Sequence, residues 1–447
     1  MKKIVMMLLA VLATLASCSS DYTDVIPSGS QALMSIDIQS LSNSSKINKQ
    51  AGNEFLKNIL HVESPSDVGL DFSSKIYLFE STDGSLGLVA NVSDEDDLAD
   101  FFGRLQNDKV CTPVEEKHDC SFTVINDAWL VGFTSSAMLV MGPTVASARA
   151  ELMLTMSKYL GGSEKGITEK PIFDKLTSLK TSVALVSTVS ALPAKFAPLA
   201  ALGAPEDADP SSVMIAAEIE NKGKYVQITG EPFSFDKDVN DALKSAQKTY
   251  RPITGEFSDV YGQSFMTMYT NVDGSKYLQL LRSDKGLRAM LAGLNTLIDA
   301  DKMIKSINGD VIIRYNPGAD GKEKSADYYQ LKAHLCGNDF MKDVGYWQKS
   351  LPAGASLRLI PGTTAYRLHG DEMGLDFSAT PARLIMTSDI SQPETGKARL
   401  KPTIDAKGHR FIIYINPEAS KSTTVSAIMS VLSPVLGNIG GIIYTVK

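Results

Sequence analysis

A hairpin followed at once by a helix occurs three times along this chain, and that recurrence limits the fold more than any other feature. The apolar runs Ile76–Glu80 and Leu86–Val92 flank Asp83-Gly84, a two-residue hairpin signal. Ser93 stands where a helix would be capped, and Asp94 to Asp97 place negative charge where the helix dipole favours it. Leu98, Phe101, Phe102 and Leu105 then share the apolar face of a helix. The order returns at Val213–Glu220, Lys222-Gly223 and Tyr225–Thr229, with a helix around Asp236–Gln247 that carries Val239, Leu243 and Ala246 on one side. It returns again at Val311–Tyr315 and Tyr328–Leu335, across a longer loop holding Asp320-Gly321, with a helix around Asp339–Gln348.

The first and third instances match further. Each is followed by three short strands, Phe122–Ile125, Trp129–Phe133 and Met138–Met141 in one and Ala365–Leu368, Gly374–Phe377 and Arg383–Met386 in the other. Each is also preceded by a strand and a helical segment, the strands being Ala32–Ile38 and Phe265–Tyr269. A duplication is therefore expected. A last strand at Arg410–Ile415 ends in Asn416-Pro417, as the strand at Val311 ends in Asn316-Pro317.

Helices that follow hairpins cover one face of an antiparallel sheet, so the pattern reads as an α+β fold with two tandem lobes and not as a doubly wound parallel sheet. With 447 residues, 43% of them hydrophobic and 21% charged, the chain can bury two or three cores and is neither disordered nor fibrous. The Ala/Pro-rich stretch 191–210, with Pro193, Pro198, Pro205 and Pro210, reads as a connector between a lobe at 31–190 and one at 211–447. The middle hairpin and helix at 213–247 fit either sheet.

The amino terminus gives the address. Lys2 and Lys3, the uncharged run Ile4 to Ala16 and the sequence Leu15-Ala16-Ser17-Cys18 have the parts of a secretory leader at 1–17, too short to span a bilayer. Leu15 to Cys18 resembles a bacterial lipobox, which implies cleavage before Cys18, acylation of its sulfur and new amino group, and a tether at 18–30. Several acyl chains hold far more firmly than one, each buried methylene contributing about 0.8 kcal/mol. Ser19 is not the aspartate that retains lipoproteins at the inner membrane of many enteric bacteria, so an outer-membrane address is expected, facing the periplasm or the cell surface. The uncharged stretch Ser422–Val446 is broken by Pro434, Gly437, Gly440 and Gly441, and it reads as a helix at 424–436 and a buried strand at Ile442–Val446.

The lipobox, the lead Val25-Ile26-Pro27 before Ala32-Leu33-Met34-Ser35-Ile36-Asp37, and the repeated hairpin–helix units resemble Bacteroidetes lipoproteins of domain-of-unknown-function family 4836. The resemblance implies a secreted, anchored, two-lobed α+β protein of unassigned function. It brings no catalytic residues with it.

Signatures of chemistry are sparse. The net charge of −7 argues against general affinity for nucleic acid. His61, His118, His334, His369 and His409 lie far apart and form no His-Glu-x-x-His pair. Cys111, His118 and Cys120 lack the fourth ligand that zinc prefers, and in an oxidising envelope a disulfide between Cys111 and Cys120 is expected ahead of free thiols or a metal. Gly161 to Gly166 reads as a helix stop, not a phosphate loop, and Ser245 with Lys248 has no Lys-Thr-Gly companion. Trp129 and Trp347 are expected in cores. No catalytic, metal or cofactor residue is nominated. The expected role is non-enzymatic, binding an envelope protein or small ligand or serving a structural purpose, while the membrane is held by acyl chains on Cys18. The rival is an envelope hydrolase of glycans or peptides with dispersed catalytic residues.

Overall fold

The computed structural model describes residues 22–40, 64–191, 203–205, 207–223, 225–257, 260, 262, 264–317, 327–370, 374–388, 405–419 and 440–446. The chain divides into two compact units, the first reaching Ser178 and the second beginning at Leu179. Most of the expected connector, the helix expected at 424–436, His61 and the whole leader with Cys18 lie outside the described residues.

The first unit is built from β1 (Ser30–Ile36), β2 (Ile76–Ser81), β3 (Leu86–Asn91), α1 (Glu95–Asn107), β4 (Glu115–Lys117), β5 (Cys120–Ile125), β6 (Trp129–Phe133), β7 (Ala137–Gly142), α2 (Arg149–Leu160) and α3 (Pro171–Ser178). Its strand order is β1-β2-β3-β7-β6-β5-β4, antiparallel throughout. Gly84 takes φ +82° in the β2–β3 turn, the left-handed conformation that favours glycine there. Helix α1 is capped one residue later than expected: the Asp94 side chain accepts from Asp97 N at 3.0 Å, while Ser93 N donates to Gly69 O. Leu98, Phe101 and Phe102 bury themselves against Ala90, Val131, Phe133 and Met138, with Phe102 stacked on Phe133 at 5.6 Å.

The other face of this sheet corrects the expectation that helices occupy one side. Strands β6 and β7 are buried at nearly every position, as strands covered on both faces are. Helix α2 reaches Gly132 on that second face, where a Cβ would meet the Leu160 Cδ1 at 2.9 Å, and α3 brings Phe173 to 5.8 Å from Tyr77. Alternate residues of β2, β3, β5 and β7, among them Phe79, Val89, Phe122 and Leu139, are too apolar to be left in water, which is the physical reason for the second layer.

The second unit comprises β8 (Val183–Thr188), β9 (Met214–Asn221), β10 (Val226–Phe233), α4 (Lys237–Gln247), β11 (Tyr250–Arg251), β12 (Met266–Asp273), α5 (Gly274–Ser283), α6 (Lys285–Asn295), α7 (Ala300–Lys305), β13 (Ile307–Asn316), β14 (Tyr328–Leu335), α8 (Val344–Ser350), β15 (Ser356–Leu359), β16 (Tyr366–His369), β17 (Gly374–Ala379), β18 (Arg383–Thr387), β19 (Phe411–Ile415) and β20 (Ile442–Val446). The order β12-β13-β14-β18-β17-β16-β15 repeats that of the first unit strand for strand. From β12 the sheet continues through β19, β20, β10, β9 and β8, with β11 beside the end of β12. The β10–β20 pair is parallel, a departure from the wholly antiparallel sheet expected. The hairpin at 213–247 therefore belongs to this sheet, with Val239 and Leu243 of α4 packed against Val189 and Val213.

Helices cover one face of the β12–β18 sheet. Val272, Val311, Ala333, Phe377 and Leu384 pack with Ile298, Met303, Phe340 and Trp347, and the helix expected at Asp339 opens as a 3-10 turn before α8. On the opposite face, Ile253, Phe257 and Val260 of a loop cover Tyr269, Ile312, Ile412 and Tyr414.

The expected Cys111–Cys120 disulfide does not form. Cys111 pairs with Ile125, five residues along β5 from Cys120 and so roughly 17 Å away, against a limit near 7 Å between bonded Cα atoms. The Cys111 Sγ donates to Phe102 O at 3.3 Å instead, and burial, then Asp119 and Glu95, push the Cys120 thiol up. Native protein without reductant should label quickly at Cys336, which is exposed, and Cys111 and Cys120 should both label once it is unfolded. Mass spectrometry reads the sites; persistent protection of Cys111 and Cys120 after unfolding would restore the bond.

Candidate functional site

Three places gather polar side chains in numbers, two in the second unit and one in the first. In the second unit the Asp310 carboxylate is fully buried and accepts from Thr254 N and Oγ1, Gly255 N, Glu256 N, the Tyr269 hydroxyl at 2.6 Å and Asn271 Nδ2 at 2.7 Å. Burial alone would raise its pKa, but the donations from Thr254, Tyr269 and Glu256 overcome that and hold it below the ordinary carboxylate range. Burial, with Asp310 beside it, pushes the Tyr269 hydroxyl up, so tyrosine stays the donor. The result is a clasp that fixes the loop at 253–257 onto β12 and β13. His334 lies at its edge, with Nε2 at 3.7 Å from Glu256 and its ring 5.9 Å from Phe257.

A second buried acid is equally committed. Asp376 on β17 accepts two 2.7 Å bonds from Arg367 on β16 in the bidentate geometry of a guanidinium–carboxylate pair. It belongs to a cross-strand row, Arg367-Asp376-Thr387-Gln330-Arg314-Thr267, whose members from Asp376 to Thr267 are buried. Arg314 donates to Gln330 Oε1 at 2.8 Å. These carboxylates are saturated with donors, so neither is free to move a proton.

The first unit holds a cleft of about 430 Å³ between the β4–β5 hairpin and α2, a volume suited to a small molecule. Phe122, Val124 and Leu130 form its floor, with Ala146, Ala150 and Met153 on the helical wall and Glu115, Lys117, His118 and Arg149 at the rim. The hairpin turns on His118 and Asp119, at φ +54° and +60°, the two left-handed positions of a type I′ turn without glycine at either. Such a turn stores on the order of 1 kcal/mol or more per residue, and it puts the imidazole at the mouth of the cleft. Lys117 is held by Glu115 at 2.7 Å. Arg149 donates through Nη2 to the Asp127 carbonyl and lies 3.7 Å from the Asp127 carboxylate, which partners its charge. Thr112 and Thr123 are engaged: Thr123 Oγ1 donates to Thr112 O at 2.7 Å, and Thr112 Oγ1 accepts from Val124 N.

Of the residues singled out by sequence, His118 reaches the cleft. Cys120 sits just beyond the same turn but buried, Cys111 is at the far end of β5, His334 is in the other unit and His369 is exposed at the end of β16. Among the described residues no three of His, Cys, Asp and Glu meet as a metal-ligand group. Gly161 ends α2 as expected, and Trp347 is in the core. Arg149 was not foreseen, because nothing in a lone arginine at a helix start signals what its strand neighbours will be. Asp310 had a visible signal, an acid directly before the apolar run Val311–Ile313.

The fold and cleft define an α+β protein with two sheet units and a small-molecule-sized cavity in the first. The chain belongs to the family described as Domain of unknown function (DUF4836), which matches residues 22–409. Solved structures titled as crystal forms I, IV and III of TP0453 resemble it at 13%, 11% and 10% identity, with TM-scores of 0.30, 0.30 and 0.27. They cover 51%, 47% and 83% of this chain and 84%, 80% and 94% of their own. Overlap that slight carries no argument. No curated protein matches the chain.

Asp310→Asn should lower stability by more than about 3 kcal/mol, because a carboxamide cannot accept every donor that the buried carboxylate takes. The wild-type clasp contributes fully above the ordinary carboxylate pKa and is lost as pH falls through the lower native value, whereas the variant lacks this acid-dependent step. Urea unfolding from pH 7 to pH 3 on both proteins measures it.

Proposed function

We propose that this chain is an acyl-anchored lipoprotein of the outer membrane, in the Bacteroidetes manner, and that it binds a ligand in the envelope and does not turn it over. Support for the address comes from Lys2, Lys3 and the lipobox at Leu15 to Cys18. Among the described residues no helix is long and apolar enough to cross a membrane, which accords with attachment through acyl chains on Cys18. The identical seven-strand orders support descent of the two units from one by duplication. Facing toward the periplasm or the cell exterior is equally compatible with this anchor.

One observation carries the binding reading. The cleft of the first unit sets Lys117, His118 and Arg149 around an apolar floor, while its threonines and the buried acids Asp310 and Asp376 are already hydrogen-bonded. Hydrolysis needs a nucleophile or a poised pair of acids. Among the residues lining the cleft, His118 and Glu115 are the groups with hydrolytic chemistry, and Glu115 is paired with Lys117.

Two measurements test this. Cys18→Ala should move the protein from the membrane to the soluble fraction, and unchanged membrane retention refutes acyl anchoring. Incubated with envelope glycan and peptide fractions, the protein should leave their mass spectra unchanged; cleavage that disappears in His118→Ala establishes the hydrolase instead.

A further inference from the structure

We propose that the first unit sits directly on the bilayer that holds its acyl chains, with the outer side of α2 against the lipid headgroups. The inference rests on the acyl-anchored reading above and adds which surface meets the membrane. The tether expected at 18–30 is packed from Tyr22 onward. Tyr22–Val25 is a 3-10 turn in which Thr23 and Val25 are buried, and Ile26 after it is buried as well. The Tyr22 hydroxyl donates to Lys75 O at 2.8 Å, its ring lies 6.1 Å from that of Tyr77, and Asp24 accepts from the Thr168 hydroxyl. Ile167 N donates to Ile26 O at 2.9 Å, and Gly166 lies so close that a Cβ there would collide with Asp24 O. Residues 22–27 are thereby fixed against the link between α2 and α3. Four residue steps separate Cys18 from Tyr22, a span of at most about 14 Å when fully extended. An acylated Cys18 lies at headgroup level, so this layer of the unit cannot leave the membrane surface by more than that short leash.

What α2 presents on its outer side suits that position. Leu154, at 46% exposure, and exposed Lys158 stand one helical turn apart, away from the buried Met156, Ser157 and Leu160. Val145, just before the helix, is 67% exposed, and Lys170 beyond it is exposed, while Lys165 is paired with Glu169. Apolar side chains with lysines beside them fit a headgroup layer, the apolar groups reaching the acyl boundary and the ammonium groups meeting phosphate. The opposite layer is unsuited to it. Residues 94–108, α1 with its caps, hold six acids against one arginine, whereas residues 149–178 hold four acids and five bases. Lipid phosphates therefore repel the α1 side and leave the α2 side to approach. A second copy is a poorer occupant of this surface, because the leash keeps the bilayer at a high effective concentration beside it and ties no other partner there.

The test uses the full acylated protein in vesicles of phosphatidylcholine and phosphatidylglycerol at about three to one. Spin labels are placed through Leu154→Cys, Val145→Cys or Asp96→Cys, each with Cys336→Ser to silence the exposed native thiol. Power saturation compares each label's contact with oxygen, which concentrates in lipid, and with a water-soluble nickel chelate. The oxygen-to-nickel ratio at positions 154 and 145 should exceed that at position 96 by about threefold or more, as shallow entry at the acyl boundary requires. Position 145 lies outside α2 and keeps the comparison valid should a label at 154 disturb the helix. Equal ratios at the three positions, a higher ratio at 96, or dipolar broadening between labels at 154, the mark of a second copy on that face, overturns the proposal. The anchoring reading fails separately, if the protein does not float with the vesicles at all.

Discussion

Pairing of the third strand with the seventh organises each unit. In the first, Leu86–Asn91 runs antiparallel to Ala137–Gly142, so the intervening helix and three strands must loop out and return. In the second, Tyr328–Leu335 pairs with Arg383–Thr387 across a similar excursion. Contacts of that sequence separation are entropically costly to close, and they persist because both strands of the pair bring apolar residues to the ladder. Val89 meets Leu139 and Ala90 meets Met138 in one unit; Leu331 meets Met386 and Ala333 meets Leu384 in the other. Once this pair forms, α1 or α8 has one face on which to lie, and the remaining three strands can only extend the sheet outward.

What the two units do with the second face differs, and residue type decides it. The first places Tyr77, Phe79, Val89, Leu139 and Phe122 there and covers them with α2 and α3. The second places Arg367, Asp376, Thr387, Gln330 and Arg314 in one cross-strand row, flanked by Asp310 and its six donors. Buried charge is tolerated only where partners are supplied, and here cross-strand register supplies them: Arg367 lies directly opposite Asp376, and Arg314 opposite Gln330. A face committed to such pairs is structural. In the first unit a helix covers the second face and stands off from the β4–β5 hairpin, whereas in the second a loop covers the apolar part of that face.

Much of this was legible in the chain because it depends on local pattern. Asp83-Gly84 and Lys222-Gly223 gave their hairpins, and Gly223 takes φ +87° as a tight turn demands. The apolar spacing of Leu98, Phe101 and Phe102 gave α1 and its buried side. Strand order was beyond that pattern, since nothing in Leu86–Val92 alone says that its second neighbour is Met138. The disulfide expectation failed for the same reason: Cys111 and Cys120 are near in sequence, but the β4–β5 hairpin folds between them and carries them to opposite ends of β5. The one-sided helix layer failed because α1 and α2 each follow a hairpin, β2–β3 and β6–β7, yet pack on opposite faces, and the order of elements does not say which face a helix takes. Arg149 and His118 became neighbours of one cleft only through α2.

The cleft follows from a mismatch between hairpin and helix. Strand β4 has three residues, all exposed, so it overhangs the sheet with no apolar side chain to draw α2 against it. Helix α2 is instead held at its far end, where Met156, Tyr159 and Leu160 are buried and Gly132 permits the close approach of Leu160. Its amino-terminal turn, with exposed Ala146 and Ala150, has small side chains that cannot span the gap to Lys117 and His118. Larger residues at 146 and 150 would have closed it. The opening therefore persists because anchorage at one end of the helix, small residues at the other and a polar hairpin opposite act together.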